Sequence, residues 1–229
     1  MTQKPEAFVF DMDGVLINSH PAHLAAWREF LVSVGVSISE SDLAFILEGR
    51  TRSEILLKFL GNLSSEELQG YGRRKDEIFR KMENQIGPMP GALALVRFLS
   101  VQKLRLAIAT SASEIRTFAT IERLGLGGCF DAVVTATDVA LGKPDPEVYR
   151  LACDRLGVAP QQTLAFDDAP AGVQAARAAG MRCIGIANNG IGERLLASGA
   201  ETVVPNFASC EFRDVAKGLL GSLSLDLAA

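Results

Sequence analysis

Hydrophobic positions change their spacing twice along the chain. An uninterrupted apolar run at residues 7–10 ends directly in charged residues, as is typical of a short buried strand. Between Asn18 and Glu83, apolar residues recur every three or four positions, which predicts a block of helices. From Gly91 onward, short apolar runs alternate with stretches of helical spacing. The chain is therefore predicted to begin with one strand, continue as helices, and end as alternating strands and helices.

The bounds of the individual elements follow from these runs and from their glycine, proline and capping signals. Strands are expected at 7–10, 104–109, 132–135, 163–166, 182–186 and 202–204. Helices are expected at 21–34, 40–47, 51–60 and 64–84, then at 92–101, 113–124, 146–156, 172–179 and 192–197. A capping box at Ser64 and Glu67 marks the start of the fourth helix. Because right-handed crossovers place helices on both faces of a parallel sheet, the expected fold class is α/β, with a doubly wound, mainly parallel sheet.

The helical block is long enough to form a separate domain. About 90 residues separate the first two predicted strands, which is too long for a single crossover. We therefore predict a core domain of residues 1–17 and 86–229, and an inserted α-helical domain of residues 18–85. Two linkers should connect them, and the prolines of the second linker should stiffen it.

Composition and charge exclude several classes of function. A chain with 48% hydrophobic and 22% charged residues is typical of a globular protein. Its net charge of -4 does not attract nucleic acid or an anionic membrane, so we expect neither partner. The sequence has no apolar run near the roughly 20 residues of a membrane span, and its polar N-terminus does not resemble a secretory signal. We therefore expect a cytoplasmic protein whose four scattered cysteines are reduced and mostly buried.

Two carboxylates follow the first predicted strand. Asp11 and Asp13 are one residue apart, and Gly14 comes directly after them. At the carboxyl end of a parallel strand, both would lie where open α/β sheets bind their ligands. Their mutual repulsion would have to be offset by a divalent cation, a shared proton or a nearby lysine. The alternative is a solvated turn after the strand.

Two later segments offer groups that suit a phosphate. Thr110 and Ser111 follow a strand and open a helix, so a hydroxyl and backbone N–H groups could bind a phosphate oxygen there. The alternative is ordinary helix capping, with Ser113 as the cap. Lys143 is directed by a preceding glycine and a following proline, and it could neutralise both a carboxylate and a phosphate. The alternative is a solvated loop lysine.

A second acidic pair follows the strand predicted at 163–166. Asp167 and Asp168 would reach the same edge of the sheet as Asp11 and Asp13. Such an oxygen-rich site suits Mg²⁺, which prefers carboxylate, water and phosphate oxygens. The alternative is an aspartate that only caps the following helix.

In this order, the strand ends resemble the motifs of the haloacid dehalogenase superfamily of phosphotransferases, and the match covers nearly the whole chain. The motifs are an Asp-x-Asp-Gly after a strand, a Ser or Thr after the next strand, a lysine, and an acidic pair. They are met by Asp11, Asp13, Gly14, Thr110, Lys143, Asp167 and Asp168. The resemblance implies that the helical block is the family's cap domain, which closes over the substrate.

The resemblance also implies roles for these residues. Asp11 would be the nucleophile that forms an aspartyl-phosphate, and Asp13 the general acid and base. Mg²⁺ would be held by Asp11, Asp168 and the Asp13 backbone carbonyl, with Asp167 in the outer shell. Thr110 and the Ser111 N–H would bind phosphate, and Lys143 would neutralise its charge.

Gly14-Val15-Leu16 followed by Asn18, Ser19, His23 and Trp27 resembles the β-phosphoglucomutase-like and phosphoglycolate-phosphatase-like branch, and Trp27 is interpreted as a core residue of the cap. His23 would act as a proton relay or hinge near Asp13, or else be a packed histidine of the cap. Gly49, Arg50 and Arg52 resemble a cap loop that binds the substrate's non-reacting end. The loop departs from the mutase pattern at Glu48, where mutases usually carry lysine.

The expected function is therefore a Mg²⁺-dependent phosphatase for a small phosphorylated metabolite, most simply a sugar phosphate. The alternative is a β-phosphoglucomutase, which passes the phosphoryl group to a sugar hydroxyl, and a further alternative is a non-catalytic phosphosugar sensor. We expect a monomer, with a dimer as the alternative.

Overall fold

The structure, a computed structural model, describes residues 4–47, 52–187 and 190–220. Its backbone contacts divide the chain into two compact units. The core unit comprises Met1–Ile17 and Pro88–Ala229, and the helical unit comprises Asn18–Gly87. A helical unit is therefore inserted between the first strand and the rest of an α/β unit.

The elements have the following bounds in chain order. The strands are β1 (Ala7–Phe10), β2 (Arg105–Ala109), β3 (Ala132–Val134), β4 (Thr163–Asp167), β5 (Arg182–Ile186) and β6 (Thr202–Val204). The helices are α1 (His20–Ser33), α2 (Glu40–Leu47), α3 (Arg52–Leu60), α4 (Ser65–Arg80), α5 (Ala92–Val101), α6 (Glu114–Arg123), α7 (Glu147–Leu156), α8 (Pro170–Ala179), α9 (Gly192–Ala197) and α10 (Cys210–Leu220).

The described strands form one parallel sheet with the order β3-β2-β1-β4-β5-β6. The chain moves outward in one direction from β1 to β3 and in the other from β4 to β6, so the order reverses between β1 and β4. Open α/β sheets bind their ligands at such a switch point, beyond the carboxyl ends of the strands. Phe10 of β1 is in register with Phe166 of β4, which brings Asp11 level with Asp167.

Both faces of β1 are buried, as its uninterrupted apolar run predicts. Phe8 and Phe10 lie on one face, where their rings stack on Phe166 with centroids 6.4 Å and 5.0 Å apart. Ala7 and Val9 lie on the other face, in a cluster of buried hydrophobic residues contributed mainly by the strands, α7 and α8. Because β1 is packed on both sides, the chain leaves the sheet at Asp11 in a fixed position.

The predicted elements agree closely with the structure. The bounds of β1, β5, β6, α2, α5 and α9 are those expected, and most others differ by one or two residues. The Ser64 capping box is present, since Ser64 and Glu67 exchange both hydrogen bonds. The predicted helix 64–84 is wrong at its end, because the hydrogen bonds tighten after Arg80 and a 3₁₀ helix covers Glu83–Gln85.

Helix α10 is absent from the sequence-based elements, which end at residue 204. Its buried residues Phe212, Ala216 and Leu219 are spaced by four and three, as in an amphipathic helix. Phe212 packs on Phe207 and Phe166, with ring centroids 5.1 Å and 6.1 Å apart. This helix therefore covers the phenylalanine face of the sheet.

The helical unit has its own hydrophobic core. Its main cluster of buried hydrophobic residues comes from α1, α2 and α3 and includes Trp27 and Phe30, whose rings meet edge to face at 5.9 Å. Trp27 is 4% exposed, as expected for a core residue of this domain.

Two further predictions concern the membrane and the cysteines. Within the described ranges, the helices are too short or too polar to cross a membrane. All four cysteines are free thiols, and Cys153 and Cys183 are buried. The prediction of mostly buried thiols is wrong for Cys210, which is exposed, and Cys129 is partly exposed.

Candidate active site

Asp11 lies at the carboxyl end of β1 and is almost completely buried. Its N–H donates to the Phe166 carbonyl at 2.9 Å, which continues the pairing of β1 with β4 by one residue. Its carboxylate accepts a hydrogen bond from Lys143 Nζ at 2.7 Å. The alternative of a solvated turn is excluded, because Asp11 is 6% exposed.

Lys143 is held between two carboxylates. Its Nζ lies 2.7 Å from Asp11 Oδ1 and 2.7 Å from Asp167 Oδ2, and its side chain is 8% exposed. The Tyr149 ring centroid lies 4.9 Å from the same atom. Burial alone would lower the pKa of Lys143, but the charges of Asp11 and Asp167 and their hydrogen bonds raise it above the usual range. Lys143 is therefore a buried cation, and the alternative of a solvated loop lysine is wrong.

Asp167 accepts hydrogen bonds from three donors of the chain itself. Its Oδ2 accepts from Lys143 and, at 2.5 Å, from the Tyr149 hydroxyl, and its Oδ1 accepts from the Ala169 N–H at 2.9 Å. Burial and the charge of Asp167 raise the pKa of Tyr149, so the hydroxyl remains a donor. Asp167 thus fixes Lys143 in the direction of Asp11.

Gly172 in the first turn of α8 makes room for this carboxylate. A Cβ at Gly172 would lie 2.0 Å from both Asp167 carboxylate oxygens. Those oxygens cannot move aside without losing the hydrogen bonds that hold them. We expect Gly172→Ala to lower the free energy of unfolding by about 2–4 kcal/mol, measured by urea denaturation.

Gly218→Ala in α10 is the matched control for this substitution, because a Cβ there meets nothing within 4 Å. It should leave the stability unchanged or raise it slightly, since alanine favours a helix. Equal unfolding midpoints for the two variants would contradict the proposed close approach at Gly172.

Asp13 makes a two-point ion pair with Arg116. Nη1 and Nη2 of Arg116 donate to Oδ2 and Oδ1 of Asp13, each at 2.6 Å. The side chains are 27% exposed for Asp13 and 17% exposed for Arg116. Arg116 is not among the residues predicted from the sequence. The signal that could have found it is a cation in the first turn of α6, where the helix dipole disfavours positive charge.

Thr110 and Ser111 follow β2, the strand beside β1. The N–H of Thr110 donates to the Val134 carbonyl at 3.0 Å, and its hydroxyl accepts from the Ala112 N–H at 3.1 Å. Thr110 is 2% exposed, whereas Ser111 is exposed. Ser113 stands at the N-cap of α6 but makes no side-chain capping bond, so the helix start lacks the cap that the alternative requires.

The site carries an excess of negative charge around Asp11. Burial raises the pKa of Asp11 well above its usual range, and Lys143 opposes this rise. The charges of Asp167, Asp168 and Asp13 add to it. The oxygen-rich set at the switch point therefore includes Asp168, which is 8% exposed.

This donor set consists of oxygens, which suits a hard cation such as Mg²⁺. In the part of the chain that the structure describes, there is no group of three or more His, Cys, Asp or Glu side chains that could hold a metal. Mg²⁺ commonly uses only one or two carboxylates and completes its shell with water and substrate phosphate. Asp11 and Asp168 supply two such carboxylates, and the Asp13 backbone carbonyl supplies a further oxygen of the kind that Mg²⁺ prefers.

Of the predicted substrate-binding residues of the helical unit, the structure describes His23 and Arg52. The His23 ring stacks on Phe79 with centroids 4.0 Å apart, and its Nδ1 lies 3.0 Å from Lys75 Nζ. Nη1 of Arg52 donates to Asp76 at 2.8 Å. Gly49, Arg50 and Glu48 lie outside the described residues. Substrate binding by His23, Gly49, Arg50 and Arg52 remains a prediction.

Comparison with known proteins identifies the family to which this chain belongs. The family model described as haloacid dehalogenase-like hydrolase matches residues 5–180. The phosphorylated carbohydrates phosphatase of Thermotoga maritima is 33% identical over 87% of this chain and 94% of that protein. The β-phosphoglucomutase of Bacillus subtilis is 29% identical over 87% of this chain and 88% of that protein.

A solved structure of β-phosphoglucomutase from Clostridium difficile superposes with a TM-score of 0.76 and 26% identity, over 94% of this chain and 97% of that one. These matches confirm the resemblance drawn from the motifs and the α/β class with an inserted helical domain. They also confirm that the chain is an enzyme of the hydrolase type. The chain belongs to the haloacid dehalogenase-like hydrolase family.

Proposed function

We propose that the protein is a Mg²⁺-dependent phosphatase that hydrolyses a small sugar phosphate through an aspartyl-phosphate intermediate. The observation that carries the proposal is the buried contact of 2.7 Å between Lys143 Nζ and Asp11 Oδ1 at the carboxyl end of β1. It combines a carboxylate nucleophile with a fixed cation at the place where a phosphoryl group would sit. The Thermotoga maritima relative, named as a phosphatase of phosphorylated carbohydrates, supports the substrate class.

In the first half of the reaction, a carboxylate oxygen of Asp11 attacks phosphorus, and the bond between phosphorus and the sugar oxygen breaks. Asp13 gives a proton to the leaving oxygen, so that the sugar departs as an alcohol. Lys143 offsets the charge of the phosphoryl oxygens. Thr110 and the Ser111 N–H hold the phosphate in line with Asp11.

In the second half, Asp13 accepts a proton from water, and the water oxygen attacks phosphorus. The bond between phosphorus and Asp11 breaks, which releases inorganic phosphate and restores the carboxylate. Asp13 can reach this second role because it lies two residues after the nucleophile and is partly exposed. Asp11, by contrast, is buried against Lys143.

The residues that would hold Mg²⁺ are Asp11, Asp168 and the backbone carbonyl of Asp13. Bound there, Mg²⁺ would supply positive charge to the phosphoryl oxygens and lower the repulsion between them and the carboxylates. Asp167 belongs outside this set, because Lys143, Tyr149 and Ala169 already occupy its oxygens. Its role is to hold Lys143.

The test is an assay of the full chain against a panel of sugar phosphates, with Mg²⁺ or with EDTA. We expect inorganic phosphate to be released from at least one sugar phosphate, with activity lost in EDTA and restored by added Mg²⁺. Incubation with β-glucose 1-phosphate and a glucose bisphosphate primer distinguishes the mutase. Glucose 6-phosphate formed without free phosphate would favour the mutase and contradict hydrolysis.

A sensor would give a third result. It would bind a sugar phosphate tightly, as measured by calorimetry, without releasing phosphate or forming a phosphoenzyme. That outcome would refute the enzymatic proposal even if Mg²⁺ bound to the site.

A further inference from the structure

The ion pair between Asp13 and Arg116 joins the proposed acid and base to a residue 103 positions away. The two hydrogen bonds of 2.6 Å run from separate guanidinium nitrogens to separate carboxylate oxygens. A two-point contact of this kind fixes the rotation of the carboxylate as well as its location, because both groups are planar. The pair therefore sets the plane in which Asp13 presents its remaining lone pairs.

Each end of the pair is anchored by a rigid backbone. On the Asp13 side, the Gly14 N–H donates to the Ile17 carbonyl at 2.8 Å, and the N–H groups of Leu16 and Ile17 donate to Met12 at 2.9 Å and 3.0 Å. Met12, Leu16 and Ile17 are all buried. The turn that carries Asp13 is therefore held by its own hydrogen bonds and by packing.

On the other side, Arg116 lies in the first turn of α6. Thr117, Thr120 and Ile121 anchor this helix in the core unit, where they are 0%, 7% and 8% exposed. A cation in the first turn faces the positive end of the helix dipole, which disfavours it. The carboxylate of Asp13 offsets that cost, so the two side chains favour each other's positions.

We infer that Arg116 is a positioning residue that orients the ionised Asp13 carboxylate as the base that accepts a proton from water, an inference that rests on the proposed phosphatase function. Arg116 acts through Asp13 and does not itself contact the substrate. Loss of the guanidinium would let the Asp13 carboxylate rotate away from the reacting oxygens. Small displacements of a catalytic group lower the rate strongly while leaving substrate binding nearly intact.

The first test compares steady-state kinetics of Arg116→Ala and Arg116→Lys on a sugar phosphate that the wild type hydrolyses. We expect Arg116→Ala to lower kcat by about 10- to 100-fold, with KM changed by less than about threefold. Arg116→Lys should recover only part of the loss, because an ammonium cannot form the two parallel bonds. Equal activity of Arg116→Ala and the wild type would overturn the inference.

Arg182→Ala is the matched control. Arg182 also makes a multiple contact with a carboxylate, since its Nε and Nη2 donate to Glu201 at 2.8–3.0 Å, but it lies at the amino end of β5, away from the site. Its kcat should stay within about twofold of the wild type. If Arg116→Ala and Arg182→Ala lose kcat equally, the effect is one of stability, and the inference fails.

A second test separates positioning from direct contact with the substrate. In the Asp13→Asn background, we would measure single-turnover phosphoenzyme formation from an aryl phosphate, whose leaving group needs no proton donor. Addition of Arg116→Ala should change that rate by less than about twofold, because the group that Arg116 orients is already altered. An undiminished effect, or a large rise in KM in the single variant, would show that Arg116 binds the substrate and would overturn the inference.

The failures of the two proposals are distinguishable. If the wild type releases no phosphate and forms no phosphoenzyme, the proposed function fails and the positioning role falls with it. If the wild type is active and Arg116→Ala behaves as Arg182→Ala does, only the positioning role is refuted.

Discussion

Asp11→Asn is expected to abolish turnover and phosphoenzyme formation. An amide cannot form the covalent intermediate, so kcat should fall by about 10⁴-fold or more. The buried position limits the effect of the substitution on stability. Burial already raises the pKa of the Asp11 carboxyl group and so disfavours its charged form. It also removes one partner of Lys143, which keeps Asp167. Because Lys143 keeps this second carboxylate, we expect the free energy of unfolding to fall by less than the roughly 3–5 kcal/mol that follows when a buried charge loses its partner.

Phosphate release and trapping of radiolabelled phosphoenzyme by acid quench would measure the effect. Asp214→Asn is the control, because Asp214 is an exposed residue of α10 that pairs only at the surface with Lys217. This variant should keep full activity. Substantial phosphate release by Asp11→Asn would refute the nucleophile assignment, and full activity would refute the mechanism as a whole.

Lys143→Met is expected to impair both stability and activity. The ammonium lies 2.7 Å from carboxylates on both sides, and its loss leaves Asp11 and Asp167 buried without their cation. Removal of one partner from a buried ion pair costs about 3–5 kcal/mol. The same change removes the charge that offsets the phosphoryl oxygens, so kcat should fall by about 10³-fold or more.

Urea denaturation in EDTA would measure the stability, because no divalent cation could then replace the ammonium. Lys217→Met is the matched control, since the Lys217 and Asp214 side chains are 77% and 76% exposed, and an exposed pair contributes little. Coincident unfolding curves for the two variants would contradict the buried network. Lys143→Arg adds a further comparison, because it keeps the charge but replaces a point cation by a wide planar fork.

The strand ends could be predicted from the sequence because their signals are local. Asp11 and Asp167 each follow an uninterrupted apolar run, and parallel strands bring such ends to one edge. Lys143 could be singled out from its neighbouring glycine and proline, but its burial between two carboxylates could not. That arrangement depends on strands separated by long stretches of chain.

The residues that sequence reasoning missed are tertiary partners. The contact between Arg116 and Asp13 leaves no periodic trace in the chain. The predicted helix 113–124 places Arg116 in a first turn, but its carboxylate partner lies 103 positions earlier in the sequence. Tyr149 occupies an ordinary buried position of α7, and only the structure places its hydroxyl on Asp167. Gly172 is a similar case, because the carboxylate of Asp167, at the end of the preceding strand, leaves no room for a Cβ there.

The position of β1 has a consequence for the order in which the molecule can fold during synthesis. Ala7 pairs with Arg105 of β2 and with Thr163 of β4, which leave the ribosome roughly 100 and 150 residues later. The central strand must therefore wait unpaired, with its phenylalanines exposed, while the helical unit emerges and can fold on its own contacts. A nascent chain therefore carries Asp11 before Lys143 has been synthesised, so the buried ion pair of these two residues can form only late in synthesis.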